Sequence, residues 1–366
     1  MKLRRPVYYK DFHCISSECR DTCCAGWEIE VDEEAAERYE RVEGAFGERL
    51  RSMIGEDEEE KYFILQPGKR CPLLRKDNLC ELICRLGEES LCDICREHPR
   101  FYQWFGDYTE AGLGLCCEEA GRLLFSLREP LAFEVLEDGG ESQEDDPLSA
   151  PLLAARERAF CLLQNRTVSL DTRIYRLLLF AEAVQGCLDQ EDGAAIEKLA
   201  ECWKAPEKIR VQETGENREE GLQALLEEYR KLESLDGTWP EMIGKLQSRL
   251  PELLAKRKEF LQEYRERFSE YEQLMVYFIY RYFMEALFDG NLLSPVRFSV
   301  SGLLVVRLLD IERWIEKGSF TFDDRIQTAK LFSKEIEYCP ENMAALSEIC
   351  LEEPCFLQLE NYLDIG

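Results

Sequence analysis

The sequence has 366 residues, of which 45% are hydrophobic, and its 46 Lys and Arg against 74 Asp and Glu give a formal net charge of −28. So acidic a chain is a poor candidate for binding nucleic acid, because phosphate backbones attract clustered positive charge, and it would not be drawn to an anionic membrane surface. The length allows about two domains with cores of their own. Acidity confers solubility, and it is also compatible with a basic or lysine-bearing protein partner.

The N-terminus does not have the pattern of a secretory signal. The basic residues 1–6 are followed by Tyr8 and other polar groups rather than by an apolar run. The most apolar later stretch, 274–288, is interrupted by Arg281 and Glu285, so we expect no membrane span. A cytoplasmic location is therefore predicted, where clustered cysteines are more often metal ligands or redox groups than structural disulfides.

The first part of the chain is predicted to hold few regular elements. Residues 6–12 have an extended pattern, and residues 27–31 alternate as in a short strand. Asp32 can then cap a helix that runs to about residue 51. Glycines predict irregular backbone over residues 106–114, and residues 131–136 are the candidate for a second strand.

The polar, acidic stretch 137–150 is the best domain boundary. We therefore predict a cysteine-rich metal-binding domain at 1–136, an acidic linker at 137–150 and an α-helical domain at 151–366. The predicted fold class is mainly α, with an irregular cysteine-rich N-terminal domain of few short strands followed by an α-helical domain. Helical apolar faces recur in residues 151–165, 171–188, 219–235, 240–289, 294–317 and 324–337.

Eleven of the 17 cysteines fall within the first 117 residues. Packing does not require that density, because a free cysteine in a core is only a small hydrophobic residue. Two groups can be distinguished, and the second begins 47 residues after the first ends (71 − 24 = 47). The first group is Cys14, Cys19, Cys23 and Cys24, and the second is Cys71, Cys80, Cys84, Cys92 and Cys95, followed by the pair Cys116 and Cys117.

The spacings favour a metal or iron–sulfur site without identifying which. Only Cys92 and Cys95 have the Cys-x2-Cys spacing of a zinc knuckle. The Cys-x3-Cys-x2-Cys motif of radical enzymes that use S-adenosylmethionine is absent, because Gly26 and Gly87 stand where its third cysteine would fall. With only 2 histidines in the chain, all-thiolate ligation is favoured, which suits both zinc and iron–sulfur clusters.

Outside the cysteine region no motif indicates an enzyme: there is no glycine-rich dinucleotide motif, P-loop or nucleophile elbow. The aromatic and basic run 100–105 could stack on an adenine or flank a lysine, and it could equally cover the metal site. Arg100 and Tyr102 in this run are the candidate cofactor-binding residues. The sequence identifies no catalytic residue.

Five cysteine-bearing blocks occur in a fixed order in the first third of the chain, at residues 12–29, 71–74, 79–80, 91–100 and 115–122. Together they resemble the flagellin lysine-N-methylase family, and more broadly a group of cysteine-cluster proteins described as zinc- or iron-chelating. Glu118 and Gly121 depart from the family pattern, in which proline and alanine are expected. The helical remainder fits the family in character but carries no sharp motif.

The resemblance implies methyl transfer from S-adenosylmethionine to lysine ε-amines of flagellin in the cytoplasm, with a 4Fe–4S cluster in the enzyme. A single four-iron cluster needs about four thiolates, so the implied set of ligands is too large for one cluster. Polar and radical transfer are both compatible with the sequence. The implied metal ligands are Cys14, Cys19, Cys23, Cys24, Cys71, Cys80, Cys95 and Cys117. The auxiliary cysteines would be Cys84, Cys92 and Cys116, and those in the core or on the surface Cys161, Cys187, Cys202, Cys339, Cys350 and Cys355.

Two other classes of protein remain open. One is a non-enzymatic zinc-binding interaction module, and the other is an iron–sulfur sensor or electron carrier. A zinc site of the first kind would only hold a strand-poor domain together. A brown protein containing iron and sulfide would favour a cluster, and a colourless protein containing zinc would favour the module.

Overall fold

A computed structural model of the chain describes residues 2–20, 22–57, 60–105, 108–137, 146–206 and 215–364. Helices account for most of these residues and the strands are short, so the mainly α prediction is confirmed. The strands are β1 (Lys2–Pro6), β2 (Ile54–Glu56), β3 (Lys61–Phe63), β4 (Arg100–Phe105), β5 (Tyr108–Leu113) and β6 (Phe133–Glu137).

The helices divide into short ones within the cysteine region and longer ones after it. The first group is α1 (Glu33–Glu40), α2 (Gly44–Ser52), α3 (Glu81–Leu86), α4 (Asp93–Glu97) and α5 (Glu118–Ser126). The second group is α6 (Ser149–Leu163), α7 (Leu170–Leu188), α8 (Gly193–Cys202), α9 (Gly215–Lys231), α10 (Thr238–Glu263), α11 (Ser269–Tyr282), α12 (Ala286–Asp289), α13 (Leu293–Lys317), α14 (Phe322–Phe332), α15 (Pro340–Glu352) and α16 (Pro354–Leu357). A π-helical turn, Ser333–Glu337, continues α14.

A four-stranded sheet in the order β4-β5-β1-β6 joins the two ends of the cysteine region. The first strand pairs in parallel with β5, where Leu3 lies opposite Thr109, and antiparallel with β6, where Leu3 lies opposite Leu136. Strands β4 and β5 form an antiparallel hairpin. The sheet therefore brings residues 100–137 next to the N-terminal strand. Most of the cysteine region lies between β1 and β4 in the sequence.

Two hydrophobic cores form. The larger core takes Tyr8 and Phe12 near the N-terminus, the inner side of the sheet and the helices from α5 to Leu363 near the C-terminus. The smaller core lies within residues 29–95 and includes Cys71 and Cys92. The sheet thus packs with the helices, while most of the cysteine region has an interior of its own. The division at 137–150 stays a prediction, and its residues 138–145 lie outside the described part of the chain.

Helix α11 is buried on nearly every side. Its aromatic residues Tyr271, Tyr277, Phe278 and Tyr280 are all at most 2% exposed. A helix that is apolar or aromatic all round must be surrounded by other elements, and α11 packs against α5, α6 and α13. The sequence pattern indicated this burial.

Several local predictions were wrong. Residues 27–31 form no regular strand and make only an isolated antiparallel bridge to β3. The Phe63 amide donates to the Ile29 carbonyl at 2.9 Å, and the Val31 amide donates to the Lys61 carbonyl at 2.7 Å. The extended stretch ends at Pro6, and a 3-10 turn follows. The single helix expected up to about residue 51 is two, because the chain turns before Gly44, which has a φ of 76°.

The hairpin β4–β5 was also not predicted, because its glycines indicated irregular backbone. Gly112 instead sits within β5, opposite Phe101 in β4. A Cβ atom at this position would lie 2.1 Å from the Phe101 ring, so the ring occupies the space that the glycine leaves free. The single apolar run 240–289 is likewise divided into α10 and α11 by a 3-10 turn, Tyr264–Arg267.

A buried ion pair links α13 to α14. Arg325 donates to Asp310 at 2.5 Å and Tyr271 donates to the same carboxylate at 2.6 Å, and both charged side chains are 0% exposed. Burial raises the pKa of Asp310, against the opposing charge of Arg325. Removing one partner of such a pair leaves a charge without compensation in a dry interior.

We predict that Arg325→Met lowers the free energy of unfolding by about 3–5 kcal/mol, because Asp310 loses its counter-ion. Urea denaturation measures this change. The matched control is Arg230→Met, whose guanidinium is 47% exposed in its pair with Glu227 and should cost less than about 1 kcal/mol. Equal losses in the two variants would contradict the prediction.

Candidate functional site

The eight predicted ligands all lie in described residues and form two sets, which meet at the neighbouring residues Cys23 and Cys24. The first thiol set is Cys14, Cys19 and Cys23 on the loop after β1, together with Cys117 at the start of α5. Burial, followed by the charges of Cys19 and Cys14, raises the pKa of Cys117 to about 11. The pKa of Cys23 is raised mainly through its hydrogen bond with Cys24, with Cys14 and Cys117 contributing. The four thiols are therefore close enough for their charges to affect one another.

The second thiol set is Cys24, Cys71, Cys80 and Cys95, all of which belong to or pack against the smaller core. The Cys71 amide donates to the Cys24 carbonyl at 2.8 Å, which ties the first loop to the second cysteine group. Burial, followed by the charges of Cys24, Cys80 and Cys92, raises the pKa of Cys71 to about 12. The implied set of eight ligands, too large for one cluster, therefore divides into four and four.

Short helices position the second set. Cys80 precedes α3 and Cys92 precedes α4, so each occupies a helix N-cap position. Within the Cys-x2-Cys knuckle, the Cys95 amide donates to the Cys92 carbonyl at 3.1 Å. The hydrogen bond between the two thiols lowers the pKa of Cys92 and raises that of Cys95. Cys92, for which the resemblance implied only an auxiliary role, is thus a fifth thiol beside the four predicted ligands of the second set.

The cysteine thiols have the right chemistry to bind a metal as thiolates, and there are enough of them. In the structure, however, their side chains do not surround a single point. All 17 cysteines are free thiols. In the described ranges no three Cys, His, Asp or Glu side chains are grouped so that they could hold a metal ion. Four thiolates per set is nevertheless the number that a four-iron cluster takes. The ligand assignment therefore stays a prediction.

The other two auxiliary cysteines and the remaining ones differ in their surroundings. Cys84 is exposed on α3, whereas Cys116 is buried, with its Sγ 4.0 Å from Nε2 of His98. Cys350 and Cys355 are buried in the larger core. The exposed cysteines of the helical region are Cys161 and Cys202, and the partly buried ones are Cys187 and Cys339.

Glu118 fastens the first cysteine loop to α5. Its carboxylate accepts from the Arg20 side chain at 2.9 and 3.1 Å and from the Arg20 amide at 3.3 Å, and the Cys19 thiol lies 3.9 Å away. Burial would raise the pKa of Glu118, but the hydrogen bond and charge of Arg20 hold it below its usual value. In the sequence, Glu118 is distinguished only as a departure from the family pattern. Its role could not be predicted, because its partner Arg20 lies 98 positions away in the chain.

Aromatic packing connects the cysteine loop to the helical region. Trp27 donates to the Cys23 carbonyl at 2.6 Å, and its ring lies 5.9 Å from the rings of both His98 and Tyr338. Burial, then the charges of Lys330 and Lys334, lowers the pKa of His98 to about 4, so its ring is neutral at pH 7. His98 thus packs between aromatic groups.

A cavity of about 430 Å³, the β4–α11 cavity, opens beside this contact. Arg281 is one of the residues that line it, and its guanidinium lies 4.7 Å from the Phe101 ring and 4.9 Å from the Tyr338 ring. Glu337 accepts from Tyr282 at 2.7 Å and pairs with Arg281 at 3.4 Å. The cavity is lined by Phe101, Tyr102, Gln103, Arg281, Tyr282, Glu285, Glu337, Met343 and Ala344.

The two candidate cofactor-binding residues are placed differently. Tyr102 lines the cavity, and its hydroxyl donates to Glu97 at 2.8 Å. Arg100 lies over the rings of Tyr9 and Phe12, at 5.8 and 5.2 Å, and is not among the residues lining the cavity. Their assignment stays a prediction. Arg281 and Glu337 were missed, since only the burial of the first could be inferred from the apolar run around it.

The fold and site define a class of protein: a mainly helical, cysteine-rich protein with two thiol sets and a polar cavity connected to the first cysteine loop through Tyr338 and Trp27. A family profile described as the FliB lysine N-methylase C-terminal domain matches residues 156–362, which is more than half of the chain. The chain belongs to the FliB lysine N-methylase family. The match covers the helical region, where the sequence offered no sharp motif.

Curated relatives agree with this family. The proteins named Lysine-N-methylase from Salmonella choleraesuis and Salmonella typhimurium are each 25% identical to the chain over 225 residues, which is 55% of this chain and 51% of each relative. The flagellar biosynthetic protein FliU of Salmonella muenchen is 27% identical over 120 residues, 31% of this chain and 71% of FliU. The chain thus spans about half the length of the lysine-N-methylases it matches. No solved structure matches it.

We predict that Glu118→Gln loosens the first cysteine loop, because Arg20 loses a charged partner. Hydrogen bonds to charged groups contribute about 1.5–3 kcal/mol, so the rate of Cys19 alkylation in metal-free protein should rise about tenfold or more. Peptide mass spectrometry after iodoacetamide treatment measures this rate. Because the folded pKa of Glu118 is lowered, the wild-type protection is present at neutral pH and is lost as the pH falls through that pKa.

The control for this prediction is Glu18→Gln, which removes an exposed carboxylate from the same loop. Cys19 alkylation in that variant should match the wild-type rate at each pH. If both variants accelerate alkylation equally, the loop charge matters and the Arg20–Glu118 contact does not.

Proposed function

We propose that the protein is a protein-lysine N-methyltransferase that transfers methyl groups from S-adenosylmethionine to lysine ε-amines of flagellin, with an iron–sulfur cluster bound by cysteine thiolates. Family membership and the names of the relatives support the reaction class. A relative named as a flagellar biosynthetic protein supports flagellin as the substrate. Because the chain covers only part of the lysine-N-methylases it matches, their activity is carried over as part of this proposal.

The observation that carries the proposal is the position of the β4–α11 cavity. Arg281, Tyr282, Glu285 and Glu337 line it, and all lie within the region matched by the family profile. Tyr338, next in the chain, lies with its ring 4.9 Å from the Arg281 guanidinium and packs on Trp27, which donates to the Cys23 carbonyl. The polar cavity is therefore connected to the first cysteine loop through Tyr338 and Trp27.

The chemistry of the transfer sets what the cavity must do. A lysine ammonium, with a pKa of about 10.4, must lose a proton before its nitrogen has a free electron pair. The N–C bond then forms as the S–C bond of the sulfonium breaks, which gives methyl-lysine and S-adenosylhomocysteine. The walls of the cavity, built from Phe101, Tyr282 and Met343, can exclude water and hold the two reactants in line.

The first thiol set is the proposed ligand set for the cluster. The set is Cys14, Cys19, Cys23 and Cys117, and Arg20 and Glu118 hold their loop against α5. Because four thiolates would occupy all four irons, a cluster that is to hold the amino and carboxylate groups of S-adenosylmethionine would be bound by only three of these cysteines. The second thiol set lies in the smaller core, and we assign it a structural role in folding residues 24–95.

Anaerobic purification followed by a methyl-transfer assay tests the proposal. The protein should be brown, contain iron and acid-labile sulfide, and transfer labelled methyl from S-adenosylmethionine to monomeric flagellin. A colourless protein that contains zinc would contradict the proposed cluster. Transfer of methyl groups to flagellin residues other than lysine would contradict lysine as the substrate residue. Labelled flagellin is read by peptide mass spectrometry.

Paired cysteine variants test the assignment of the two sets. Cys117→Ser should lose the visible absorption and at least about 100-fold of the transfer rate, because a missing ligand weakens the cluster and misplaces the donor. Cys71→Ser should lower the unfolding temperature of the protein, because Cys71 lies in the smaller core. The control is Cys161→Ser, at an exposed helical position, which should leave both readouts unchanged. Retained absorption in Cys117→Ser would contradict the assignment.

A further inference from the structure

The wall of the β4–α11 cavity offers hydrogen-bond acceptors that nothing in the described structure uses. Oε2 of Glu337 and Oε1 of Gln103 are buried without a hydrogen-bond partner. Gln103 donates through Nε2 to the Arg281 carbonyl at 2.7 Å, which fixes its amide and leaves its oxygen available. A buried acceptor without a donor is costly, so this pattern indicates a ligand that donates hydrogen bonds.

The one cation in the lining does not satisfy these acceptors. Arg281 donates to the Tyr277 hydroxyl at 2.8 Å, and its bond to Glu337 goes to Oε1. Tyr277 and Tyr282 donate to that same oxygen at 2.9 and 2.7 Å. Three donors therefore meet at one carboxylate oxygen, and the second oxygen is left over.

Glu285 completes the acceptor set at the rim. It makes no hydrogen bond or ion pair within the described residues, and its side chain reaches solvent. With Arg281 positive and the two glutamates negative, the ionised lining carries a formal charge of 1 − 2 = −1. An anionic, aromatic cavity open to solvent suits a cationic side chain that enters from a protein surface.

We propose that the β4–α11 cavity binds the ε-ammonium of the substrate lysine, and that Glu285 is the catalytic residue that takes its proton. The inference rests on the proposed methyltransferase function and assigns the base that the reaction requires. An ammonium brings three N–H donors, and Glu337, Gln103 and Glu285 supply three acceptors. The proton passes from Nζ to the Glu285 carboxylate, and the freed electron pair forms the new N–C bond as the S–C bond breaks. Glu285 then releases the proton to solvent at the rim.

The electrostatics of Glu285 agree with this role. Although its side chain reaches solvent, protein crowds it on most sides, and this desolvation raises its pKa to about 7, with Arg281 opposing and Asp289 contributing. Glu337 and Tyr102 face it across the cavity, α15 contributes the uncharged Met343 and Ala344, and on α6 the guanidinium of Arg156 is bonded to Glu110. A carboxylate with a pKa near the working pH is a better base than one at its usual value.

S-Adenosylmethionine also carries a primary ammonium, so the test must separate the two sources. The probes are an acetylated pentapeptide with one central lysine, the same peptide with norleucine, and S-adenosylhomocysteine. Wild type, Glu285→Gln and Glu285→Asp are compared by calorimetric binding and by the pH dependence of methyl transfer. The control variant is Glu348→Gln, an exposed position on α15.

For Glu285→Gln we expect at least about tenfold weaker binding of the lysine peptide, unchanged binding of the norleucine peptide and of S-adenosylhomocysteine, and about a 100-fold or greater loss of kcat. The rise of the wild-type rate around pH 7 should disappear. Glu285→Asp should keep part of the affinity, and Glu348→Gln should behave as wild type. Loss of S-adenosylhomocysteine binding instead would assign the cavity to the methyl donor and overturn the inference.

The two proposals fail in different ways. If wild type transfers no methyl group but binds the lysine peptide through Glu285, the ammonium site stands and the methyltransferase function falls. If Glu285→Gln keeps full kcat and an unchanged pH profile, the base assignment falls and the methyltransferase function stands. Equal binding of the lysine and norleucine peptides to wild type would overturn the ammonium site.

Discussion

Burial of helix α11 on nearly every side is the constraint on which the rest of the structure depends. A helix with no solvent-facing side must find a partner inside the protein for each polar group it carries. The Tyr280 hydroxyl lies 3.0 Å from the carbonyls of both Arg4 in β1 and Ala111 in β5. Gln273 donates to the Glu129 carbonyl at 2.7 Å. These contacts join the sheet to the helical core, so the N-terminal strand cannot be separated from the helices without exposing them.

The same helix builds the cavity. Tyr277, Arg281 and Tyr282 all converge on Glu337, which ends the π-helical turn after α14. Such turns shift the register of a helix, and they occur frequently at functional sites. Here the shift sets Tyr338 against Gly114, where a Cβ atom would lie 1.9 Å from the tyrosine oxygen. Any side chain at that position would push the tyrosine away from Trp27 and Arg281, so the connection between the cavity and the first cysteine loop depends on this glycine.

The parts that could be predicted from sequence are those set by local periodicity. Helix α7 was expected at 171–188 and is Leu170–Leu188, and the apolar face expected at 294–317 belongs to α13, Leu293–Lys317. Strand β5 was missed because glycine has little propensity for a strand, and the position of Gly112 is explained only by the ring of Phe101 on β4. The cysteines were recognised by their density, but their division into two sets depends on tertiary packing. Gln103, Glu285 and Glu337 come from separate elements, so no sequence spacing relates them.

Net charge and local structure select a partner at different distances. A formal charge of −28 favours encounter with a basic partner, but screening removes most of that attraction beyond about 8 Å at physiological salt. It also acts alike on arginine, lysine and any other cation. Inside the cavity the acceptors are already desolvated, so an ammonium that meets them gains hydrogen bonds at little further cost to the protein. A planar guanidinium is larger and never gives up its proton under these conditions. Preference for lysine over arginine therefore arises in the cavity and not in the acidic surface.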